Sequence, residues 1–400
     1  MDHHTPGVTA VRDPADTDTL ASLLRRATRL PHLASRYAPF LREGSAPALA
    51  DLPVMTREDL ARATEEALSL PDGAGPALLW ADGGTLADPA LTLLPADMFA
   101  PDVRTVWNPL RPSDVLANLH PPGRLSQDHY FYNRLAAESG ATALALGRLP
   151  DGGHEDWLDL LARLGVTAVA APPEAMERLL GGTAAGRPVP WLRTLLLGGA
   201  THDTTPDWLI AERFPYTETW RLYGTPSTGA TGHRGPQCLL DVYHPLPHQH
   251  VEFADGRLLV TSLHPDRNPP LIRYRTADRG EPATCTCGLP GPALRVFGSA
   301  EPYVRLHGRA VSALELVCLA VATGEVTAAQ VAVDRGQRLQ LRVRLAPGVP
   351  DDHHTHAWIR FRVLEGHLTL AACVDERPDA FEVVAVEELD GAAVLVTEDP

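Results

Sequence analysis

The sequence of 400 residues contains no lysine, and all 35 of its basic side chains are arginine. Alanine, glycine and proline are abundant beside arginine, so the composition of the genome is a sufficient cause of this bias. The consequence holds whatever the cause. A reaction that needs the ammonium group of a lysine is excluded for this chain.

The chain also lacks long apolar runs. None reaches the roughly 18 residues that a membrane span needs, and the polar start MDHHTPGVTAVRDPADTDT lacks the apolar core of a secretory signal. Cysteines are few and odd in number, at five. We therefore expect a cytoplasmic protein whose cysteines are thiols or metal ligands rather than disulfides. A net charge of -15 repels phosphate backbones, so neither nucleic acid nor a membrane is an expected partner.

The apolar pattern divides the chain into segments. Residues 1–17 are polar and are predicted to be a disordered tail. Helical periodicity follows over residues 18–70, where Thr56 and Asp59 have the spacing of a helix-starting capping box. From about residue 77 to 235 short apolar strands alternate with helical stretches, which indicates βαβ units and a largely parallel sheet. Strands are predicted at residues 77–80, 166–171, 195–197, 257–262 and 271–274.

The segment after Gly298 has the pattern of a separate small domain. A helix is predicted over residues 312–322, and a β-hairpin over 331–345, where apolar and polar residues alternate in the second strand. The sequence therefore predicts a large α/β domain over residues 18–297 and a small α+β domain over 298–400.

Four segments occur in an order and spacing typical of one enzyme family. They are Leu52-Pro53 with Thr56 and Asp59-Leu60, Gly198-Gly199-Ala200, Tyr223-Gly224-Thr225-Pro226-Ser227, and Arg273-Tyr274-Arg275-Thr276-Ala277-Asp278. Taken alone, the last segment is more typical of a structural ion pair. Together the four resemble the phenylacetate–CoA ligase branch of the adenylate-forming superfamily, over nearly the whole chain from about residue 30.

The resemblance implies a fold and a nucleotide-like site. The fold is a large N-terminal domain of the adenylate-forming type followed by a small C-terminal domain. In the site, Asp278 corresponds to the residue that holds the ribose hydroxyls of AMP, and Tyr223 to the residue that flanks the adenine. Gly199 lies in the loop that passes beneath the adenine, and Thr225 and Arg275 belong to the same two motifs.

The chain departs from this family where ATP is handled. The phosphate loop is replaced by residues 81–89, which bring in two aspartates, and the magnesium-binding glutamate is replaced by Ser227. The hinge at Ser299–Pro302 has lost its arginine and its acid, and Ala392 stands where the family has a catalytic lysine. The resemblance therefore implies that ATP, AMP and magnesium bind weakly, and that the chain does not catalyse adenylation effectively.

Four Cys/His positions have the composition of a zinc site. Cys238 and His244 are followed by Cys285 and Cys287, which supply three thiolates and one imidazole for a tetrahedral ion. The spacing alone leaves free buried thiols as an alternative. The phenylacetate–CoA ligase branch has a similar pattern here, which favours a structural zinc. The two other cysteines, at positions 318 and 373, lie in apolar stretches and are predicted to be core residues.

Three histidines are candidates for catalysis. His120 and His129 lie where the family's members line the acyl pocket, although a packed aromatic segment is an alternative reading of this stretch. His233 follows the Tyr223 segment and is a candidate general base. By contrast, the histidines at 353, 354 and 356 stand beside two aspartates, in a stretch typical of a solvated loop.

Two classes of function remain open. The first is an enzyme of specialised biosynthesis that acts on a small, aromatic carboxylic acid or its acyl thioester, without productive adenylation. CoA or a carrier protein is the acyl partner that the resemblance implies. The second is a non-catalytic binding or scaffold relative. A third hypothesis is a weak adenylating ligase in which an arginine takes the role of the missing catalytic lysine.

Overall fold

The chain is seen in a computed structural model. It describes residues 9–10, 17–41, 47–70, 75–84, 89–122, 127–149, 154–172, 175–176, 189–198, 210, 214–299, 303–307, 309–334, 338–389 and 394–397. Two compact units divide the chain. Residues 1–79 and 91–298 form the first unit, and residues 80–90 and 299–400 form the second. The segment 80–90, which the sequence places in the large domain, thus groups with the small unit. No helix in the described ranges is long and apolar enough to cross a membrane.

The first unit contains helices before and between its strands. Its helices are α1 (Thr17–Ala27), α2 (Pro31–Tyr37), α3 (Arg57–Leu68), α4 (Ala100–Arg104), α5 (Gln127–Glu138) and α6 (His154–Arg163). The predicted capping box is present, because Thr56 Oγ1 accepts from Asp59 N and Thr56 N donates to the Asp59 carboxylate. Within the predicted tail, Thr9 and Ala10 form the short strand β1.

A twelve-stranded sheet forms the centre of the first unit. Its strands are β1 (Thr9–Ala10), β4 (Val115–Asn118), β5 (Thr142–Ala145), β6 (Ala168–Ala171), β7 (Thr194–Leu197), β8 (Glu218–Thr225), β9 (Gly229–Arg234), β10 (Val242–Pro245), β11 (Gln249–Ala254), β12 (Arg257–Ser262), β13 (Tyr274–Ala283) and β14 (Ala293–Ser299). Their order in the sheet is β1-β11-β12-β13-β14-β10-β9-β8-β7-β6-β4-β5. A separate pair consists of β2 (Ala77–Gly84) and β3 (Pro89–Pro95).

The sheet changes direction along its width. Strands β5, β4, β6, β7 and β8 are parallel, as predicted from the βαβ pattern, and β6 and β7 are buried along their whole length. From β8 through β12 to β1 the pairing that the structure describes is antiparallel. The strand predicted at 271–274 is wrong over residues 271–273, since β13 begins at Tyr274. Arg273 there has a φ of +49°, which no regular strand accepts.

The second unit is a four-stranded sheet with helices. Its helices are α7 (Ala313–Val321), α8 (His353–Gly366) and α9 (Leu368–Glu376), and its strands are β15 (Tyr303–Leu306), β16 (Arg309–Ser312), β17 (Val326–Asp334), β18 (Arg338–Leu345), β19 (Phe381–Ala385) and β20 (Val394–Thr397). The predicted hairpin is present as β17 and β18, with its turn at 335–337 outside the described residues. The prediction of a large α/β domain with a small α+β domain is thereby confirmed.

Two predictions for the small unit are wrong. Residues 353–356 form the first turn of α8, not a solvated loop, because Asp352 caps the helix by accepting from Thr355 N. Ile359 and Val363, one turn apart, bury the inner face of that helix. Cys318 is exposed on α7, so it is not a core residue, whereas Cys373 is buried as predicted.

Candidate functional site

The candidate site lies at the carboxyl ends of the parallel strands. His120 follows β4, Gly198 follows β7, and α5 carries Asp128 and Tyr132 one helical turn apart. Open α/β sheets bind their ligands at this edge, because the loops that leave the strands meet there. The same topology therefore brings side chains from three distant segments to one place.

Three protic side chains converge on Gly198. A methyl group placed on this glycine would lie 3.1 Å from Asp128 Oδ2, 3.1 Å from Tyr132 Oη and 3.2 Å from His120 Cε1. The His120 ring stacks on Tyr132 at 5.0 Å between centroids, and its Nδ1 is 3.6 Å from Asp128 Oδ2. We call His120, Asp128, Tyr132 and Gly198 the His120 cluster.

Burial sets the charges in the His120 cluster. Desolvation lowers the pKa of His120 to about 3, with a smaller effect from His129, so the imidazole is neutral at physiological pH. Desolvation also raises the pKa of Asp128 to about 6. The Asp128 side chain keeps 43% of its surface exposed, and solvent at that surface limits the shift. Burial and the nearby Asp128 charge raise the pKa of Tyr132, while the cation of Arg221 opposes them.

His129, a predicted catalytic residue, supports the cluster instead of entering it. Its Nδ1 lies 2.6 Å from the main-chain oxygen of His120. Asn118 completes this support, since its amide donates to the oxygens of His129 and Asn133 and its own oxygen accepts from His120 N. Both residues hold the backbone of His120 in place.

Of the residues predicted for a nucleotide-like site, Tyr223 and Asp278 are in contact. Tyr223 Oη donates to Asp278 Oδ2 at 2.7 Å, and both side chains are buried. Thr225 is hydrogen-bonded to Thr228 through the hydroxyl and backbone groups of both residues, and it does not reach Asp278 by any bond that the structure describes. Arg275 is exposed on β13, away from the pair. Gly199 lies outside the described residues.

Strand parity separates His233 from the His120 cluster. His233 pairs with Leu222 and with His244, whereas Tyr223 pairs with Gly232. Because paired residues share a face and neighbours alternate, His233 and His244 project from the face opposite to Tyr223. The His233 and His244 rings lie 5.9 Å apart. Burial lowers the pKa of His233 to about 4, so it is neutral beside the metal-ligand candidates.

The four predicted metal ligands do come together. The ligand atoms of Cys238, His244, Cys285 and Cys287 all lie within 4.8 Å of one another, and Cys287 Sγ is 3.2 Å from His244 Nε2. Burial and the neighbouring thiols raise the pKa of Cys238 to about 12. Three thiolates can share this space only if a cation neutralises them, so the donor set fits a bound metal.

Sequence reasoning missed three members of the site. Asp128 and Tyr132 stand four residues apart, a spacing that puts both on one face of α5, and this was the available signal. No such signal was present for Arg221, because its electrostatic effect on Tyr132 depends on the pairing of β8 with β7 at Leu197. Arg221 and Tyr223 share a face of β8, since they are two residues apart along the strand.

No family model and no curated protein matches the sequence. Solved structures do match it. A 2-hydroxyisobutyryl-CoA ligase in complex with 2-HIB-AMP and CoA is 16% identical, with a TM-score of 0.71 over 96% of this chain and 89% of that one. The amide bond synthetase McbA from Marinactinospora thermotolerans is 19% identical, with a TM-score of 0.60 over 96% and 81%. A malonyl-CoA ligase with methylmalonyl-CoA and AMP is 17% identical, with a TM-score of 0.55 over 78% and 71%. The chain therefore has the fold of the adenylate-forming enzymes.

Proposed function

We propose that this protein is an enzyme that binds a small aromatic carboxylic acid, or its activated acyl form, at the His120 cluster. The convergence of His120, Asp128 and Tyr132 on Gly198 carries the proposal. A filled apolar site would have favoured a scaffold relative. Titratable groups with shifted pKa values, at the carboxyl ends of parallel strands, favour catalysis.

The neutral imidazole of His120 can position an attacking group during acyl transfer. Its Nε2 is buried and has no hydrogen-bond partner among the described residues, so it is free to accept a hydrogen bond from that group. CoA or a carrier protein is the acyl acceptor we propose. Solved structures of the same fold contain CoA and AMP, which supports this class of partner.

The surroundings of Ser227 speak against a magnesium–ATP complex. The main-chain oxygen of Ser227 accepts from Arg267 Nη2 at 2.6 Å, and Arg267 is fully buried with no carboxylate partner in the described ranges. Ser227 offers magnesium a neutral hydroxyl at the position where the resembling family has a carboxylate, and a hydroxyl is a poor ligand for this hard cation. We therefore propose that the enzyme takes a preactivated substrate. The phosphate-loop residues 85–88, the hinge residues 300–302 and Ala392 lie outside the described residues.

A ligand-binding screen with ATP, AMP, CoA, aryl acids and aryl-CoA thioesters tests the proposal by calorimetry. We expect an acid or thioester to bind, and His120→Ala to weaken that binding at least 10-fold. Asp156→Asn, on the exposed surface of α6, is the control and should change nothing. Absence of binding by every acid and thioester would favour the scaffold alternative.

Adenylation is tested separately by acid-dependent pyrophosphate exchange. We expect none, and an ATP affinity no tighter than about 1 mM, near -4 kcal/mol. Robust exchange would contradict the proposal and would favour an arginine in the role of the missing lysine. Arg305→Ala and Arg309→Ala would then show which arginine supplies the charge.

We also propose that the Cys/His cluster binds one structural zinc ion. Four Cys/His ligands without an open position are typical of structural sites. The ion would join the loop that carries Cys238 to the loop that carries Cys285 and Cys287, and so hold β9, β10 and β13 together.

A further inference from the structure

Helix α8 of the second unit is apolar on two faces. Ile359 and Val363 bury its inner face, whereas Phe361 is 54% exposed and Trp358 is 44% exposed on the outer side. The two exposed rings stack at 6.1 Å between centroids. A surface helix ordinarily buries one apolar face and turns polar residues to the solvent, so a second apolar face is typical of an interaction surface.

A cleft of about 730 Å³ lies between the outer side of α8 and strand β19. Ala357, Phe361 and Leu364 line it from one face of the helix, and Glu382 and Val383 line it from the strand. Neighbouring residues of a strand point to opposite faces, so an opening that touches both Glu382 and Val383 lies at the edge of the sheet. We call it the β19 cleft. Ligand pockets measure about 300–1,000 Å³, so this cleft has room for a ligand.

The outer edge of β19 offers main-chain groups to a further strand. β19 is the last strand at one edge of its sheet, and β18 is its only partner among the described strands. Val386 N donates to Val343 O on β18. Because the main-chain groups of a strand alternate between its two edges, those of residues 382 and 384 face β18, and those of Phe381, Val383 and Ala385 face outward. An open edge of this kind is a template for another strand.

Arg360 supports this parity and occupies the beginning of the edge. Its Nε donates to the outward oxygen of Phe381 at 3.2 Å. Asp352 stands eight residues before Arg360, about 12 Å away along α8, so the guanidinium and the carboxylate act on different ends of the cleft. The main-chain groups of Val383 and Ala385 lie beyond Phe381 along the strand and are available to a guest strand.

Charge favours a basic occupant at the aspartate end of the cleft. Asp351 and Asp352 both line it there, and Asp351 is 66% exposed, with His356 Nε2 at 2.8 Å. The carboxylate of β19 differs, because Glu382 is already paired with Arg338. A basic side chain that passes this end would therefore be attracted by the two aspartates, and an acidic one would be repelled.

We propose that the β19 cleft binds an extended segment of a partner protein, which adds a strand to β19 and carries a basic residue next to its apolar ones. Val383 and Ala385 bind the backbone of the segment, and Phe361 covers its apolar side chains. Strand addition obtains affinity from main-chain hydrogen bonds and specificity from pockets for alternate side chains. The cleft lies within the second unit, so this inference does not rest on the function proposed for the His120 cluster.

The first test uses a defined set of seven-residue peptides and the full chain. Positions 2, 4 and 6 carry valine, leucine or phenylalanine, positions 3 and 5 carry serine, and both ends carry arginine. Fluorescence polarisation should give a Kd below about 100 µM for at least one member, and binding should be about 10-fold weaker or worse when both arginines are replaced by glutamate. Absence of binding by the whole set, or equal binding of the acidic set, overturns the inference.

The second test asks whether the backbone of the peptide is bound. The best peptide is N-methylated at positions 2, 4 and 6, or at positions 3 and 5. Only one of these two sets of amides faces β19 in an added strand, so one methylated peptide should lose about 10-fold or more in affinity relative to the other. Equal binding by the two would show that no strand is added, and would overturn the inference.

Variants locate the binding to the cleft. Phe361→Ser should weaken the best peptide about 10-fold or more, since an aromatic ring supplies much of the contact area. Leu314→Ser, on α7 and 61% exposed, is the matched control and should leave the affinity within about 2-fold. Unchanged affinity of Phe361→Ser contradicts the inference. So does a wild-type dimer in sedimentation that Phe361→Ser dissociates, because a second copy of the chain would then occupy this face.

Discussion

Gly198→Ala is the sharpest perturbation of the His120 cluster. Gly198 does not have a positive φ, so alanine is compatible with the backbone and the effect comes from contacts alone. The added methyl group would lie 3.1 Å from two oxygens and 3.2 Å from a ring carbon, against about 3.5–4.0 Å for relaxed contacts. Asp128, Tyr132 and His120 would have to move by a few tenths of an ångström.

The magnitude follows from two opposing effects. Overpacking costs about 1–3 kcal/mol, while replacing glycine restricts the unfolded chain and returns about 0.4–1 kcal/mol. We expect a net destabilisation of about 1–2 kcal/mol in urea unfolding. Ligand affinity should fall about 10-fold or more, near 1.4 kcal/mol, because the three polar groups no longer share one position.

Gly235→Ala is the matched control. Gly235 also lacks a positive φ, but the atoms nearest to its added methyl group belong to the Trp220 ring, at 3.4 Å or more, which is an ordinary contact. Its stability should be unchanged or slightly increased. The double variant Gly198→Ala with Tyr132→Phe removes one of the two close oxygens, so it should recover part of the lost stability with a coupling energy above about 0.5 kcal/mol. A Gly198→Ala protein as stable as the control, with unchanged affinity, would refute the convergence of these groups.

Two further predictions concern metal and stability. Elemental analysis should give about one zinc per chain, which should be lost in Cys287→Ser but kept in Cys318→Ser, whose exposed thiol lies outside the cluster. A chelator should lower the melting temperature of the wild-type protein. Purified untagged protein that contains no metal would contradict this prediction. Arg273→Met should destabilise the protein by about 3–5 kcal/mol in urea unfolding, because it leaves the buried carboxylate of Glu252 without the Arg273 Nε that pairs with it at 3.1 Å. Adding Glu252→Leu should restore most of that loss, and a cost below about 1 kcal/mol for Arg273→Met alone would show that the pair is not coupled.

Local patterns predicted the parts of the fold that depend on local physics. The capping box at Thr56 and the strand at 257–262 were predicted because a cap and a short apolar run bounded by turns are each complete within a few residues. The start of α8 was missed for a related reason. Two consecutive aspartates are typical of turns, but an aspartate is also a good N-cap, and the burial of Ile359 and Val363 decides between the two.

The end of the predicted strand at 271–274 required tertiary contacts. Arg273 has a positive φ because its side chain is anchored from several sides. Its Nε pairs with Glu252, its Nη1 donates to the oxygen of Ala50 at 2.8 Å, and its backbone N donates to Thr261. These contacts compensate for a conformation that a non-glycine residue adopts at a cost. Nothing in the sequence around Arg273 signals partners more than 200 residues away.

The candidate site shows the same division between local spacing and register. The Cys/His cluster was predicted from spacing, and its four ligand atoms do meet. His120 was predicted by position, but its neighbours Asp128 and Tyr132 were not, because their approach depends on how α5 packs against β4 and β5. For His233 the register decides. A shift of one residue between β8 and β9 would exchange the faces of His233 and Gly232, and would bring His233 to the side of Tyr223. The observed register pairs His233 with Leu222, so His233 projects from the face opposite to Tyr223 and does not join it.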